Sequence, residues 1–419
     1  MPRREQWAEL VLTICGLPQN TEQAHHFNRH AQRPLGPDTS PISKDHASTL
    51  RNNLTVITEP RSNAHFGSRT TDAKYLLQKN FTHDLVYFTE IGIGTPVQRF
   101  QVLIDISSPE SFVSSVKCKT CAPGDGKYDS SASFSFQSND TVLEIDGGYI
   151  FAGGHVVSDT FDFDGIKAEK QPFLEATTVQ PIGLSWDDMS TIHGIVGLTP
   201  SSAGSVLNNS SPFMTMVSEN VLDRNLFSMR LREPRELLFG AHDSDLFTGD
   251  IVQLPLSNKT SRYGLTARWQ AEANYLTLGS DPGLRISLAG YTASFSTGSA
   301  FILLPDRMVS DIWRDLEFED LMYMPPSVSC DKLAFMPDII FNLAGKNFTL
   351  TPNDYTFEWP MKPSRTRCAT AIMPFGIEQY DEIFLGSAFL RTFYSVFDLD
   401  TNTIGCKFTI SGTCYTGIS

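Results

Sequence analysis

Two short polar turns carry the side chains of this sequence that are best placed for chemistry. Residues 100–113, FQVLIDISSPESFV, run from an apolar β-type segment into a turn that begins with Asp105. Residues 291–304, YTASFSTGSAFILL, repeat the pattern, with Ser296 where the first turn has its carboxylate. A carboxylate can act as a general base toward water. A hydroxyl can donate a hydrogen bond, but near neutral pH it cannot hold a negative charge.

A second repeated motif follows each turn at the same distance. The sequence HGIVGL occupies residues 193–198, about ninety residues after the first turn, and IFLG occupies residues 383–386, about ninety after the second. A fixed spacing of this kind is typical of an internal repeat. It predicts a duplicated lobe, with the two polar turns meeting near a pseudo-twofold axis.

The elements that must hold these turns are predicted to be strands. Short runs rich in Val, Ile, Phe and Thr are separated by Gly, Asp, Asn and Ser turns roughly every 8 to 12 residues, a pattern typical of all-β domains. Helical patterns are few and short, at 211–220, 306–318 and 387–392. The chain of 419 residues fits one duplicated two-lobed unit. We predict an N-terminal β lobe at 81–255 and a C-terminal β lobe at 256–419.

Over residues 85–408 the chain resembles the pepsin-like aspartic peptidases. The sequence YFTEIGIGTP at 87–96 resembles the entry strand of that family, and LFG at 238–240 resembles its lobe junction. PDIIF at 337–341 and the segment 385–400 resemble its C-terminal lobe. The resemblance implies an all-β, pepsin-like bilobal acid-protease fold. Such a fold has two pseudo-dyad-related lobes, a central cleft and few short helices.

The same resemblance implies a catalytic requirement that this chain does not meet. The family uses two carboxylates about 3 Å apart, which share one proton and activate a water between them. Asp105 occupies one of these positions, and Ser296 occupies the other. The resemblance assigns support of the pair to Ser108, Thr297 and Gly298. We therefore expect the water-activating pair to be lost.

Two neighbouring positions also depart from the family. The Asp-Thr-Gly turn of the family braces the pair with Thr hydroxyls and uses Gly so that the backbone can approach the carboxylates closely. Ile106 has no hydroxyl, and Ser107 adds a side chain at the Gly position. A serine nucleophile at Ser296 is not favoured, because no Gly-x-Ser-x-Gly elbow surrounds it and no His or Asp partner is assigned to it.

The segment 143–157 is expected to form a hairpin flap over the cleft, and an ordinary exposed hairpin is the alternative. The pairs Gly147-Gly148 and Gly153-Gly154 make bending easy. In the family a flap Tyr bonds to a Trp of the first lobe. Counting places Gly147 at the Tyr position and Phe112 at the Trp position, so both ends of that bond are expected to be absent. A shift of two residues would instead give the role to Tyr149.

Cysteines and sequons favour the secretory route. Cys15 lies in the leader, and the other six of the seven cysteines permit fifteen pairings. The resemblance implies these disulfides, the last by elimination: Cys118–Cys121, Cys330–Cys368 and Cys406–Cys414. The first pair could instead be a redox or metal motif. Acceptor sequons for N-glycosylation occur at Asn53, Asn80, Asn139, Asn208, Asn209, Asn258 and Asn347.

Charge separates the leader from the rest of the chain. Residues 1–80 carry 10 Lys/Arg against 7 Asp/Glu, a net charge of +3. Residues 81–419 carry 23 against 40, a net charge of −17, so the whole chain has a net charge of −14. Residues 1–20 resemble a signal peptide, although Glu9 interrupts the apolar run, and an ordinary N-terminal tail is the alternative. Residues 21–80 are expected to be a pro-segment of a zymogen or a disordered leader. The acidic balance argues against nucleic-acid binding.

Three functional hypotheses remain. The first is a secreted or vacuolar pepsin-like homologue, proteolytically inactive or impaired, whose interlobe cleft still binds extended peptides. The second is an active aspartic-type endopeptidase working at acid pH. The third is a drifting duplicate without a selected activity. We expect a monomer with no membrane anchor. No cofactor or metal is expected, because the nine His residues show no metal-ligand spacing.

Overall fold

A computed structural model describes most of the chain after the leader. The described residues are 87–121, 126–146, 150–181, 192–200, 211–232, 235–259, 269–279, 283–320, 325–361, 365–375 and 381–408. Several predictions concern residues outside this set. They are the signal peptide at 1–20, the leader at 21–80, the flap residues Gly147, Gly148 and Tyr149, the cysteine Cys414, and the sequons at Asn53, Asn80, Asn208 and Asn209, together with the side chain of Asn139.

The first half of the described chain contains ten strands and one short helix. The strands are β1 Phe88–Ile93, β2 Gln98–Asp105, β3 Phe112–Ser114, β4 Gln137–Asp146, β5 Ile150–Phe163, β6 Ile166–Pro181, β7 Gly194–Gly197, β8 Leu226–Arg230, β9 Glu236–Phe239 and β10 Val252–Pro255. The helix is α1, Pro212–Ser218, and the Ser211 side chain caps it by accepting from Met214 N. A serine cap followed by Pro is a typical helix start.

The second half contributes twelve more strands and two short helices. The strands are β11 Gln270–Leu278, β12 Arg285–Phe295, β13 Ile302–Leu304, β14 Ser327–Ser329, β15 Ile339–Leu343, β16 Lys346–Leu350, β17 Thr356–Met361, β18 Arg365–Thr370, β19 Ile372–Pro374, β20 Glu382–Leu385, β21 Phe393–Asp398 and β22 Thr403–Phe408. The helices are α2 Asp306–Asp315 and α3 Ser387–Leu390. The all-β class and the three short helices predicted from sequence are confirmed.

Two seven-stranded sheets share the same arrangement of their central strands. Their strand orders are β1-β2-β7-β3-β6-β5-β4 and β16-β15-β11-β12-β20-β13-β19. In the first sheet β7 lies between β2 and β3, parallel to β2 and antiparallel to β3. In the second sheet β20 lies between β12 and β13 with the same two orientations. The predicted duplication is therefore confirmed, and each polar turn follows the strand that pairs in parallel.

A third sheet joins the two halves. Its order is β10-β22-β21-β8-β9, so strands from the end of the chain lie between strands from its first half. The fully buried Trp269 lies beside this sheet, where its ring packs against Phe213, Phe227 and Phe397. Its indole N–H donates to Leu198 O at 3.0 Å. A buried Trp is stabilising when its N–H finds such a partner. A separate three-stranded sheet has the order β14-β18-β17.

Two of the three expected disulfides are formed. They join Cys118 to Cys121 and Cys330 to Cys368. Cys406 is a free, buried thiol on β22, which differs from its expected pairing with Cys414, a residue outside the described set. Cys406 lies opposite Ser395 within the β21–β22 ladder and is buried in the core.

Two properties of the described residues bear on membranes and metals. No helix among them has the length and apolar character that a membrane crossing would need. Within the same part of the chain, no group of three or more His, Cys, Asp or Glu side chains is arranged to hold a metal ion.

Candidate active site

The two polar turns lie at the same edge of their sheets. Asp105 ends β2 opposite Gly197 of β7, and its carbonyl accepts from Leu198 N at 2.9 Å. Ser296 follows β12 directly, and its N–H donates to Leu385 O at 3.2 Å. Parallel pairing places the carboxyl ends of neighbouring strands at one edge, where polar side chains can converge. Asp105 and Ser296 are both almost fully buried, with 7% and 4% exposure.

Corresponding serines support the two turns in the same way. Ser108 Oγ donates to Glu110 O at 3.2 Å and accepts from Glu110 N at 3.1 Å. Ser299 Oγ makes the same two contacts with Phe301, each at 3.2 Å. Both hydroxyls therefore satisfy backbone groups within the turn. Ser108 therefore stabilises its own turn, and its support of the catalytic pair stays a prediction.

Glycines lie close to both turns. A Cβ built on Gly197 would meet Ser108 O at 2.3 Å and Glu110 O at 2.7 Å. A Cβ built on Gly386 would meet Phe301 O at 2.2 Å and Ser299 O at 2.5 Å. Only glycine allows the backbones to approach this closely.

These contacts establish a residue-by-residue correspondence between the turns. Gly197 contacts the carbonyls of residues 108 and 110, and Gly386 contacts the carbonyls of residues 299 and 301. Counting back from these matched pairs, Ser107 corresponds to Gly298 and Asp105 corresponds to Ser296. The alignment made from sequence and the alignment made from contacts agree.

Thr297 links the two turns. Its hydroxyl donates to Ile104 O at 2.6 Å and accepts from Ile106 N at 3.1 Å. A buried hydroxyl that satisfies two backbone groups of the other lobe fixes the relative position of the turns. The corresponding side chain of the first turn is Ile106, which is fully buried in the apolar core and has no hydroxyl to offer. Of these two corresponding side chains, only Thr297 therefore makes hydrogen bonds to the opposite turn.

A chain of hydrogen bonds connects Asp105 to Ser296 through Ser107. Ser107 Oγ donates to Asp105 Oδ1 at 2.6 Å, and Ser107 N donates to the same oxygen at 2.8 Å. Ser107 Oγ and Ser296 Oγ lie 2.8 Å apart, within hydrogen-bond distance. The arrangement contains one carboxylate and two hydroxyls. Asp105 can accept or donate a proton. Neither hydroxyl can replace a second carboxyl group as an acid or a base near neutral pH.

Gly298 contacts the other oxygen of Asp105. A Cβ on Gly298 would lie 2.4 Å from Asp105 Oδ2 and 2.7 Å from its Cγ. Glycine is required here because the carboxylate itself occupies the space beside the backbone. Sequence reasoning identified Gly298 and the crowding at Ser107. It missed that the Ser107 hydroxyl bridges the two lobes, and the joint presence of Ser at 107 and 296 was the available signal.

The strands of the predicted flap are formed. β4 and β5 pair antiparallel, with Glu144 opposite Gly153 and Asp146 opposite Phe151. Phe112 is buried in an apolar cluster that also contains Ile145 of β4. Phe112 therefore contributes apolar packing in the same cluster as β4, and its correspondence to the Trp of the family stays a prediction.

Gly154 differs from the expected bending role of the flap glycines. A Cβ at this position would lie 2.1 Å from Glu175 O. The β5–β6 register shifts between Gly153 and Gly154, which marks a bulge. Gly154 therefore serves close packing of β5 on β6.

His193 has a structural role next to β7. Its Nδ1 accepts from Gln101 N at 2.9 Å, and its ring packs edge-on against Phe100. Burial lowers the pKa of His193, which favours the neutral ring, whose Nδ1 lone pair can accept this bond.

A buried acid lies in the joining sheet, and sequence reasoning did not identify it. Burial raises the pKa of the Glu236 carboxyl from 4.5 to about 7, and the nearby charge of Asp243 adds to this, against opposing effects of Tyr394 and Arg230. Tyr394 donates to Glu236 Oε1 at 3.3 Å and lies 2.8 Å from Ser228 Oγ. No sequence motif marks this position, because its burial follows from the pairing of β8, β9 and β21.

Two of the sequons can be placed. Asn258 and Asn347 are both exposed. The Asn347 side chain accepts from Asn342 Nδ2 at 2.6 Å, so its own amide nitrogen takes no part in that bond.

Comparison with known proteins agrees with this architecture. A family model described as eukaryotic aspartyl protease matches residues 86–407. Vacuolar protease A of Aspergillus fumigatus is 29% identical, over 81% of this chain and 86% of its own length. Vacuolar protease A of Arthroderma otae is 32% identical, over 76% and 77%. Cathepsin D of Mus musculus is 29% identical, over 80% and 83%. The chain therefore belongs to the eukaryotic aspartyl protease family, the pepsin-like aspartic peptidases.

Proposed function

We propose that this chain is a pepsin-like homologue that has lost most or all of its proteolytic activity and uses its interlobe cleft to bind extended peptides. The observation that carries the proposal is the hydrogen-bonded pair of hydroxyls, Ser107 and Ser296, beside the single carboxylate of Asp105. In the family's mechanism this place belongs to a second carboxyl group.

The chemistry of the family explains why this replacement matters. One carboxylate takes a proton from water while the other, protonated, donates toward the scissile carbonyl. Their separation near 3 Å forces them to share one proton. Asp105 alone can accept a proton from water, but Ser296 neither shares that proton nor returns one as an acid of matched pKa. Loss of one positioned acid–base group costs roughly 10²–10⁴-fold in rate.

Peptide binding does not depend on the missing carboxylate. An extended peptide is held by main-chain hydrogen bonds and by pockets for alternate side chains. The strands of the β4–β5 hairpin and the edges that carry both turns are formed, which supports a retained cleft. The intact core and the clustering of departures around 105–107 and 296 favour a retained binding function over drift without selection.

We also propose a cellular location, a processing of the leader and a glycosylation state for this protein. The relatives named vacuolar protease A support a secretory or vacuolar location, and the two disulfides suit an oxidising compartment. Residues 1–20 would then be a signal peptide and 21–80 a pro-segment removed by another protease. Asn258 and Asn347 would be glycosylated, and the protein would act as a monomer with a peptide or protein ligand.

Cleavage of a mixed peptide library tests the catalytic half of the proposal. Purified protein and an Asp105→Ala variant are compared between roughly pH 2.5 and 6, where aspartic dyads work, with and without a statine-type inhibitor. We expect no cleavage that distinguishes the two proteins. Acid-dependent cleavage that the inhibitor blocks and that Asp105→Ala abolishes would overturn the proposal in favour of an active endopeptidase, the activity that the names of the relatives suggest.

Peptide capture tests the binding half. The same library, carrying a photo-crosslinker, is incubated with the protein at about pH 5, and crosslinked positions are mapped by mass spectrometry. We expect crosslinks on β4, on β5 and on the turn at 296–299, with competition by an unlabelled statine-type peptide. Crosslinks scattered over the surface, or no saturable binding, would contradict a functional cleft.

A further inference from the structure

We infer that Ser107 is a positioning residue that fills the space of the second carboxylate, so that the altered site is fixed at two positions, 107 and 296. The inference rests on the proposed function and deepens it. It predicts that an aspartate introduced at 296 cannot take a productive place unless the side chain of Ser107 is also removed.

The corresponding position in the other lobe shows how much space lies beside the carboxylate. Gly298 corresponds to Ser107, and a Cβ built on Gly298 would lie 2.4 Å from Asp105 Oδ2. Carbon and oxygen atoms do not pack at this distance without displacement. A carboxylate at 296 in the matching orientation would therefore meet the real Cβ of Ser107 at a similar distance.

The contacts of Ser107 show how the space is used. Its hydroxyl lies 2.6 Å from Asp105 Oδ1 and 2.8 Å from Ser296 Oγ, so it bridges the two lobes. Ser296 is small enough to leave room for this bridge. The two serines are therefore complementary in volume and in hydrogen bonding, and each is incompatible with the residue that the family pattern has at the other position.

A substitution at one position alone has a definite expected result. Ser296→Asp places a carboxylate against Ser107, and the new group must either turn away from Asp105 or push the first turn aside. Neither arrangement gives two carboxylates that share a proton. Ser107→Gly alone opens space but supplies no second acid. Only the double variant provides both the room and the acid.

A double-mutant cycle on thermal stability tests the inference directly. The melting temperatures of wild type, Ser107→Gly, Ser296→Asp and the double variant are measured near pH 4.5, where a carboxyl pair can share a proton. We expect Ser296→Asp to lower Tm clearly when Ser107 is present and much less when it is combined with Ser107→Gly. Additive Tm shifts would overturn the inference, since independent positions do not couple.

A matched control excludes a general effect of added glycine. Ser131, an exposed residue of the first lobe, is replaced in Ser131→Gly alone and combined with Ser296→Asp. We expect additive shifts in this second cycle. Coupling of the same size at Ser131 would show that Ser107 has no special place, and would overturn the inference.

The pH profile supplies a readout that a packing effect alone would not change. The double variant is expected to show a Tm that falls between about pH 4 and pH 7, because a shared proton is lost and two close carboxylates then repel. We expect no such fall beyond the wild-type slope in Ser296→Asp, whose new carboxylate is turned away. An equal fall in both variants would overturn the inference.

Peptide cleavage distinguishes failure of the inference about Ser107 from failure of the proposed function. We expect the double variant to cleave an acid-protease substrate at least about 10²-fold faster than Ser296→Asp. Equal rates in the two variants would overturn the inference while leaving the proposed function intact. Asp105-dependent cleavage by wild type would overturn the proposed function instead.

Discussion

The two polar turns share a backbone scaffold and differ in the side chains that the scaffold presents. In both turns a serine hydroxyl bridges the backbone two residues on, and a glycine of the neighbouring strand contacts the turn carbonyls. The first turn then presents Asp105, Ile106 and Ser107, whereas the second presents Ser296, Thr297 and Gly298. The comparison teaches that scaffold and chemistry are encoded at different positions. The chemical positions can therefore change while the turns keep their shape.

The difference extends to the contacts between the turns. Thr297 satisfies the carbonyl of Ile104 and the N–H of Ile106, while Ile106 contributes only apolar volume in return. Ser107 adds a bond to Ser296 that a glycine could not make. The interface is thus held by a different set of bonds from the symmetric one that the family pattern implies.

The largest expected effect breaks the shared scaffold. Gly197→Ala and Gly386→Ala each place a Cβ within 2.3 Å of a backbone carbonyl oxygen, and each should destabilise the fold by roughly 3 kcal/mol or more. Urea unfolding measures the loss. Gly153→Ala is the matched control, because its nearest contact would be 3.6 Å away. Equal stability of Gly386→Ala and the control would contradict a common scaffold.

The next largest effect is expected from loss of the hydrogen bonds that Thr297 makes to the first turn. Thr297→Val removes a hydroxyl that serves two buried backbone groups, and should cost about 2 kcal/mol because those groups lose their partners. Ile106→Val removes only one methylene and should cost about 1 kcal/mol. Thr297→Ser keeps the hydroxyl and serves as the control. If Thr297→Ser is as unstable as Thr297→Val in denaturant titrations, the hydroxyl does not provide the link.

A smaller effect is expected away from the turns, at Glu236 in the sheet that joins the two halves. The folded-state pKa of Glu236, about 7, lies above its ordinary value of 4.5, so the folded state binds the proton more tightly than the unfolded state does. The resulting stability is fully present below about pH 4.5 and is lost as pH rises through about 7. We expect a loss of about 1–2 kcal/mol over this window. Calorimetry at several pH values measures it.

The matched variant for this effect is Glu236→Gln, which cannot ionise. Its Tm should depend less on pH between about 4.5 and 7 than the wild-type Tm does. An unchanged pH slope would assign the dependence to other groups. A buried acid that contributes stability at low pH suits the proposed vacuolar location.

The smallest effect is expected at Ser296 itself. Ser296→Ala removes the bond to Ser107, but Ser107 keeps its two bonds to Asp105 Oδ1, so the cost should be about 1 kcal/mol or less. Affinity for extended peptides should be unchanged, because the main chain of the peptide provides most contacts. A tenfold loss of affinity, measured by fluorescence polarisation, would show that Ser296 contacts the ligand.

Sequence alone predicted the features that depend on periodicity and spacing. The repeat of strand, turn and glycine motif predicted the two lobes, and family resemblance implied Cys118–Cys121 and Cys330–Cys368, which are formed. Features that depend on contacts across the chain were not predictable. The Ser107–Ser296 bond joins residues 189 positions apart, and the burial of Glu236 depends on strands from both halves.

Two further positions show why local pattern is not enough. Elimination pairs Cys406 with Cys414, but the position of Cys406 inside the β21–β22 ladder encloses it in the core. A glycine in a flap suggests flexibility, but Gly154 permits close contact between β5 and β6. In both cases the neighbouring strand decides the role, and a local pattern does not show which atoms that strand brings near.

We propose that the chain folds as an aspartic peptidase without the chemistry of one. The most direct measurement is kcat/KM for a fluorogenic acid-protease substrate, compared between wild type and Asp105→Ala across roughly pH 2.5 to 6. The account predicts that the two proteins give the same background rate at every pH. A wild-type rate that exceeds the Asp105→Ala rate by about 10²-fold or more, on the scale of one acid–base group, would contradict it.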